Sequence, residues 1–496
     1  MLAAIPLSML SMVSAGYASV DIGGKSSGNT EPYPYISPTP GEFPIIGWGV
    51  DTVTNQAAFK DFVECGFNAA HFDIGKFRDI VQALNPVPGE DTIKLGMIVR
   101  CYWRVVSCNT DQMLDVMDDI LNTYEQYAAQ GNRPPVTSWL LLDEPKYYEF
   151  DNYKDFMHSM SRHDSERMIW LNLIGDQKAT DNFRPVETDT VNKLKLRDYI
   201  EAYCEKFRPG VLSYDYYPFN VDTSGVDRTI ERGRLDDFYA ALQLYSEISK
   251  KRNRPFWAFC QSRATCINSD YSPLDGHPAP TENFLRYEAF NALAFGAQGI
   301  EYWNYREQYD PDGKPNPNAY YALVTKDGKK TDAWYFAKKV NQEIKNVSRI
   351  FLGAKLDSYY FVGDPRDTAY CDYKKGSMSD PIYVRSSRVA QNGAGTNLGA
   401  LVSTLTNGDK RYVVVMNQSP YDKAYLNLSF NNPEYEITQI MTVESADLSS
   451  NTSSTDGIGL GRVNKSVSLG PSKYQIYQFK PRFQTQNATE NSKPQQ

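Results

Sequence analysis

The chain is short of the groups that metal and cofactor chemistry require. Only four histidines occur (His71, His158, His163 and His277), and none of the seven cysteines stands in a CxxC spacing, so the sequence offers no metal cluster. No Gly-rich phosphate loop follows a strand-like run, and no lysine ends one where a Schiff base would need it, so no cofactor is expected. Excess positive charge is missing as well. A net charge of −8 over 496 residues argues against nucleic acid or an anionic membrane surface as a partner.

The N-terminal apolar stretch, Leu2 to Ala15, is too short to span a bilayer, and no transmembrane segment is expected. It ends in small residues, Val13-Ser14-Ala15 and then Gly16-Tyr17-Ala18, which resembles a secretory signal, although no Lys or Arg precedes Lys25. Residues 1–18 are therefore expected to be a signal and the protein to be secreted or periplasmic. Residues 19–42, rich in Gly, Ser, Thr and Pro, read as a linker. Seven cysteines cannot all pair within one chain, but Cys101 with Cys108 and Cys260 with Cys266 could each close a short loop in an oxidising compartment. Buried, unpaired thiols are an equal alternative.

Aromatic surface is what the chain has in quantity. Its 35 Tyr and 7 Trp supply flat, partly polar faces suited to stacking on sugar rings, beside their use as core.

The chain is organised around Val136 to Pro145, VTSWLLLDEP. Trp139, Leu140, Leu141 and Leu142 read as a strand buried on both faces, as in a parallel sheet covered by helices. The run stops at Asp143 and Glu144, and Pro145, lacking an N–H, ends the strand. Around it, strand-like and helical runs alternate. The expected strands are Pro44–Thr52, Phe67–Asp73, Lys94–Trp103, the central run, Arg167–Ile174, Val211–Phe219, Pro255–Ser262 and Gly299–Tyr305. Helical runs such as Asn55–Gly66, Thr110–Gln130, Asp236–Lys250 and Asn283–Gly299 separate them. Eight such units predict a (β/α)8 barrel over residues 43–351. Past Leu352 the helical period fades into short alternating runs, which predict a small antiparallel β-sandwich over 352–482, followed by a disordered tail, 483–496.

In such barrels the C-terminal strand ends carry the chemistry. Those ends supply Asp51, Asp73, Tyr102, Trp103, Asp143, Glu144, Asn172, Asp215, Tyr216, Tyr217, Gln261, Glu301, Trp303 and Tyr305. Carboxylates among aromatic platforms suit glycosidic cleavage, in which one carboxylic acid protonates the leaving oxygen and a second group stabilises the oxocarbenium-like transition state.

The Asp-Glu-Pro ending of strand four, the Tyr-rich strand six and the final Gly-Ile-Glu-Tyr-Trp-Asn-Tyr resemble the (β/α)8 glycoside hydrolases of the large retaining clan, including β-galactosidase-like family 42 barrels. That resemblance makes Glu144 the acid/base and carbohydrate the substrate. It also exposes two departures, since the clan has Asn before the acid where Asp143 stands, and a nucleophilic Glu on strand seven where Gln261 stands. Three assignments of the second group stay open. Glu301, or Glu307 beyond it, takes the role, or Asp215 does. In the third, the sugar supplies its own 2-acetamido oxygen, as in hexosaminidases whose adjacent Asp-Glu pair Asp143-Glu144 resembles; Tyr216 or Tyr217 would then bond the acetamido oxygen. A barrel that binds glycans without cutting them is the alternative from another class. Trp303, Tyr216, Tyr217, Gln261, Trp103, Asn172 and Tyr305 are the expected sugar contacts.

Overall fold

The computed structural model describes residues 31–50, 55–84, 93–128, 135–176, 196–220, 232–265, 277–310, 313–317, 319, 321–362, 376–389, 399–442, 453–454 and 462–482. The expected signal, the first half of the linker, Asp51, Cys266 and the C-terminal tail lie outside these residues. Among the described residues no helix is long and apolar enough to cross a membrane. The chain divides into two compact units, one through Leu356 and one from Asp357 on.

The first unit is a closed barrel of eight parallel strands, β1 (Ile45–Gly47), β2 (Ala69–Asp73), β3 (Gly96–Arg100), β4 (Val136–Asp143), β5 (Met168–Ile174), β6 (Leu212–Asp215), β7 (Phe256–Gln261) and β8 (Gly299–Trp303), in sequence order. Closure comes from β8 pairing with β1, Glu301 opposite Ile46. Around it run helices α1 (Gln56–Glu64), α2 (Phe77–Ala83), α3 (Tyr102–Val105), α4 (Thr110–Ala128), α5 (Phe150–His163), α6 (Leu196–Phe207), α7 (Arg232–Arg252), α8 (Glu282–Ala294) and α9 (Asp332–Phe351).

Several expected strands are shorter than their apolar runs. The third stops at Arg100, and Trp103 sits in α3 instead of at a strand end. The sixth stops at Asp215, so Tyr216 and Tyr217 follow it in a loop. The expected helix Asn283–Gly299 ends at Ala294, where Gly296 turns the chain with φ +93°. Helix α1 starts where Asn55 caps the Ala58 N–H at 2.9 Å, and it buries Phe59 and Phe62. It ends at Gly66, where φ is +104° and a Cβ would meet Asn341 at 2.6 Å; only glycine fits there.

Strand β4 shows why its run is continuously apolar. Trp139 points to the helix side and donates its indole N–H to Asp164 at 2.8 Å, while Leu140 packs inside the barrel with Ile46, Ala69, Ile98, Trp170, Trp257 and Phe259. Both faces are dry. Truncating Leu140 to alanine in so dense a centre should cost about 2–5 kcal/mol.

The second unit is a sandwich of two antiparallel sheets. One holds β10 (Ile382–Val389), β13 (Ala424–Phe430) and β16 (Val463–Leu469). The other holds β9 (Lys355–Val362), β11 (Ala400–Asn407), β12 (Lys410–Asn417), β14 (Tyr435–Thr442), β15 (Ser453–Ser454) and β17 (Tyr474–Pro481). Leu426, Leu428 and Phe430 of one sheet meet Val413, Val415 and Tyr477 of the other in a single core.

The expected loop closures by cysteine are not formed. Cys101, Cys108 and Cys260 are free thiols; Cys101 is buried, its Sγ 3.6 Å from the Val99 carbonyl, and burial holds its thiol well above the ordinary range.

Candidate active site

At the C-terminal mouth of the barrel a cavity of about 240 Å³ is lined by Trp48, Asp143, Glu144, Asn172, Ile174, Asp176, Asp215, Tyr216, Tyr217, Phe259 and Trp303. It brings together seven of the residues expected from the sequence.

A bulge in β4 decides which carboxylate enters. Leu140 pairs with Trp170 inside the barrel, but the register then slips, so that Leu142 faces Leu171 and Asp143 faces Asn172. Under strict alternation Leu142 would have taken that inward place. The extra residue turns Asp143 into the cavity instead, where it accepts a hydrogen bond from Asn172 Nδ2 at 3.0 Å.

Glu144 follows in the left-handed region, with φ +45°. A non-glycine residue held there costs on the order of 1–3 kcal/mol, and such strain gathers at functional sites. Its N–H donates to the Asn172 carbonyl at 2.9 Å, and the next carbonyl, that of Pro145, is tied down by the Tyr199 hydroxyl at 2.6 Å.

Asn172 is the hub. Its amide donates to Asp143 Oδ1 and to Asp215 Oδ1, both at 3.0 Å, and its own Oδ1 lies 2.8 Å from Ser213 Oγ. The carboxyl groups of Glu144 and Asp215 come close enough to share a proton, an approach that lowers Glu144 and raises Asp215. Burial pushes Asp215 well above the usual carboxylate range, with the charges of Glu144 and Asp143 adding to it. Glu144 is raised by its enclosure and by Asp143 against the pull of Asp215, and Asp143 by enclosure against the pull of Asn172 and Arg100. Asp143 and Glu144 lie deep among protein atoms yet remain open to solvent through the pocket, so enclosure acts on them less than on a sealed group.

The aromatic residues form the walls. Trp303 and Tyr217 lie with ring centroids 5.7 Å apart, and the Arg263 guanidinium rests 3.6 Å from the Trp303 ring centre. The peptide bond from Trp303 to Asn304 is cis. Arg263 is buried and does not line the cavity.

Three expected contacts lie elsewhere. Glu301 sits beneath the cavity inside the barrel, fully buried, 2.8 Å from His71 Nε2 and 2.7 Å from Ser213 Oγ. Tyr305 lies past the end of β8, packed edge-on against Phe62 and Phe67. Gln261, the last residue of β7, is buried, with its N–H on the Glu288 carboxylate at 2.7 Å and its amide 3.3 Å from the Pro278 carbonyl. On β7 the cavity is lined by Phe259 instead. Sequence reasoning passed over Asp176, two residues beyond β5, and gave His71 and Ser213 no part. Asp176 stood just outside an expected strand end; nothing local marked the other two.

Residues 147–347 match the glycoside hydrolase family 42 profile, described as beta-galactosidase. No curated protein matches the chain. Among solved structures, a family 42 beta-galactosidase from G. stearothermophilus is 9% identical over 91% of this chain and 100% of its own, with TM-score 0.49. A beta-galactosidase from the haloarchaeon Halorubrum lacusprofundi is 11% identical over 62% of this chain, with TM-score 0.37; the chain spans 58% of that protein's length. A family 30 xylanase from Clostridium acetobutylicum is 12% identical over 91% of this chain and 97% of its own, with TM-score 0.38. Closed on eight parallel strands, the first unit is a (β/α)8 barrel whose second half is similar to the family 42 profile.

Proposed function

We propose that the protein hydrolyses O-glycosidic bonds of an oligo- or polysaccharide, with Glu144 as the general acid. The observation that carries this reading is the meeting of Glu144, Asp143 and Asp215 in a pocket walled by Trp48, Tyr217 and Trp303, where enclosure and the Asp143 charge raise Glu144 above the usual carboxylate range. A carboxyl group raised in this way and open to a sugar-sized cleft suits donation to a leaving oxygen. The description of the matched family makes β-galactosides the first substrates to try. The apolar N-terminal stretch favours secretion, where such polymers are met.

Gln261 at the end of β7 favours a particular second half-reaction. No carboxylate stands there to attack the anomeric carbon, and Asp215 is bonded to the acid itself instead of lying ~5–5.5 Å from it, as a retaining nucleophile would. In this second reading the 2-acetamido oxygen of the sugar attacks the anomeric carbon as Glu144 protonates the departing oxygen. Asp143, steadied by Asn172, accepts the acetamido N–H, and water later opens the cyclic oxazolinium.

The test is hydrolysis of a panel of chromogenic glycosides with and without a 2-acetamido group. Turnover confined to 2-acetamido sugars, inhibited by a thiazoline analogue of the cyclic intermediate, supports the second reading. Turnover of plain galactosides supports a protein-borne second group. Binding of glycans without any cleavage contradicts both.

A further inference from the structure

His71, Ser213 and Glu301 come from the even-numbered strands β2, β6 and β8, as members of one interior layer of a barrel do, but this layer is polar where an apolar one is the rule. All three are fully buried. Their contacts run without a break to the pocket, from His71 Nε2 to Glu301 Oε2 at 2.8 Å, Glu301 Oε1 to Ser213 Oγ at 2.7 Å, Ser213 Oγ to Asn172 Oδ1 at 2.8 Å, and Asn172 Nδ2 to both Asp143 and Asp215 at 3.0 Å.

Counting hydrogens along this line leaves one arrangement. Asn172 spends both amide hydrogens on the two aspartates, so its Oδ1 must accept, and among the described residues the donor in reach is the single hydrogen of Ser213. Ser213 can then bond Glu301 only as an acceptor. Glu301 must therefore carry its proton on Oε1, and its Oε2 accepts from the Nε2–H of a neutral His71. The remaining ring nitrogen, Nδ1, is buried without a partner among the described residues. As a bare lone pair it is tolerable; as the N–H of an imidazolium it would be an orphaned, charged donor. Were Glu301 ionised, Ser213 would turn to it and Asn172 Oδ1 would be left without a donor.

We propose that Glu301 is a positioning residue for the glycosidase reaction, a neutral acid that, through Ser213, holds Asn172 with its amide toward Asp143 and Asp215. This rests on the hydrolase reading above. The groups facing Glu301 agree with it: His71 from β2 beneath Trp48, Arg100 from β3 acting on His71, Asp143 from β4 and Ser213 from β6. Burial drives Glu301 up to about 8, with the Asp143 charge adding to it against the Ser213 bond, and burial with the Arg100 charge drives His71 well below the usual imidazole range. Above about pH 8 Glu301 ionises, the line reverses and Asn172 lets go of the aspartates.

The test compares wild type with E301Q. A glutamine amide can donate to Ser213 and accept from His71, keeping the same direction at every pH. Expected is a kcat within roughly threefold of wild type near pH 6, since no hydrogen bond is lost, and a larger retained fraction of activity above about pH 8. Nitrogen NMR of isotopically labelled histidine should show wild-type His71 as the neutral Nε2–H tautomer below pH 8. Loss of activity in E301Q at all pH, an unchanged alkaline limb, or an imidazolium at His71 each overturns the proposal. If E301Q does not fold, S213A decides: kcat should fall about tenfold with KM nearly unchanged, and an unaltered kcat overturns the proposal. A wild type that cleaves no glycoside refutes the hydrolase reading alone, because the histidine spectrum still tests the line of hydrogen bonds.

Discussion

Glu144 and Asp215, brought from the ends of β4 and β6, face one another in the pocket that both line, the contact lowering Glu144 and raising Asp215. Replacing Asp215 with alanine removes the contact that draws Glu144 down. D215A is predicted to move the alkaline limb of activity to higher pH, since Glu144 then keeps its proton longer; a pH profile of kcat/KM checks it.

Among the described residues the lining of the pocket includes Asp143, Glu144, Asp176 and Asp215 and no Lys, Arg or His. A uronic acid or sulfated sugar would bring a negative charge among these carboxyl groups without a cation to meet it. Glycosides of neutral sugars should therefore be turned over at least roughly tenfold better, in kcat/KM, than the matching uronides. Equal rates on the two would contradict this arrangement.

Trp303 supplies wall area, with its ring fixed by Arg263 and by Tyr217. Such a surface binds substrate and transition state alike. W303A is predicted to raise KM by roughly tenfold while kcat changes little, as a steady-state titration would show.

The buried Glu301 makes stability depend on pH. Its folded-state value, about 8, lies above the ordinary 4.5, so the folded chain binds a proton that the unfolded chain releases. The contribution is fully present below about pH 4.5, declines as pH rises, and is lost by about pH 8. E301Q, which has no proton to lose, should match wild type in Tm near pH 4 and exceed it increasingly toward pH 8. Thermal melts at several pH values read this directly.

Much of the barrel was legible because buried parallel strands are apolar on both faces and helices between them keep their own period. Trp139 to Leu142 marked β4 without ambiguity. The face of Asp143 was not legible, because the bulge after Leu140 has no marker among three consecutive leucines, and plain alternation predicts the opposite. Tyr305 shares the parity of Glu301 and Trp303, but β8 ends at Trp303, so the tyrosine turns toward Phe62 and Phe67. The meeting of His71 with Glu301 depends on closing the barrel through β1, which joins residues 230 positions apart. No local pattern records such a contact.

The central claim, that Glu144 delivers the proton, is tested most directly by E144Q on two glycosides of one sugar, one with a dinitrophenol leaving group and one with an alkyl alcohol. A nitrophenolate departs without protonation, whereas an alkoxide does not. The account predicts that E144Q loses about 10²–10⁴-fold in kcat/KM on the alkyl glycoside and far less on the dinitrophenyl one. Equal losses on both, or none on either, would contradict it.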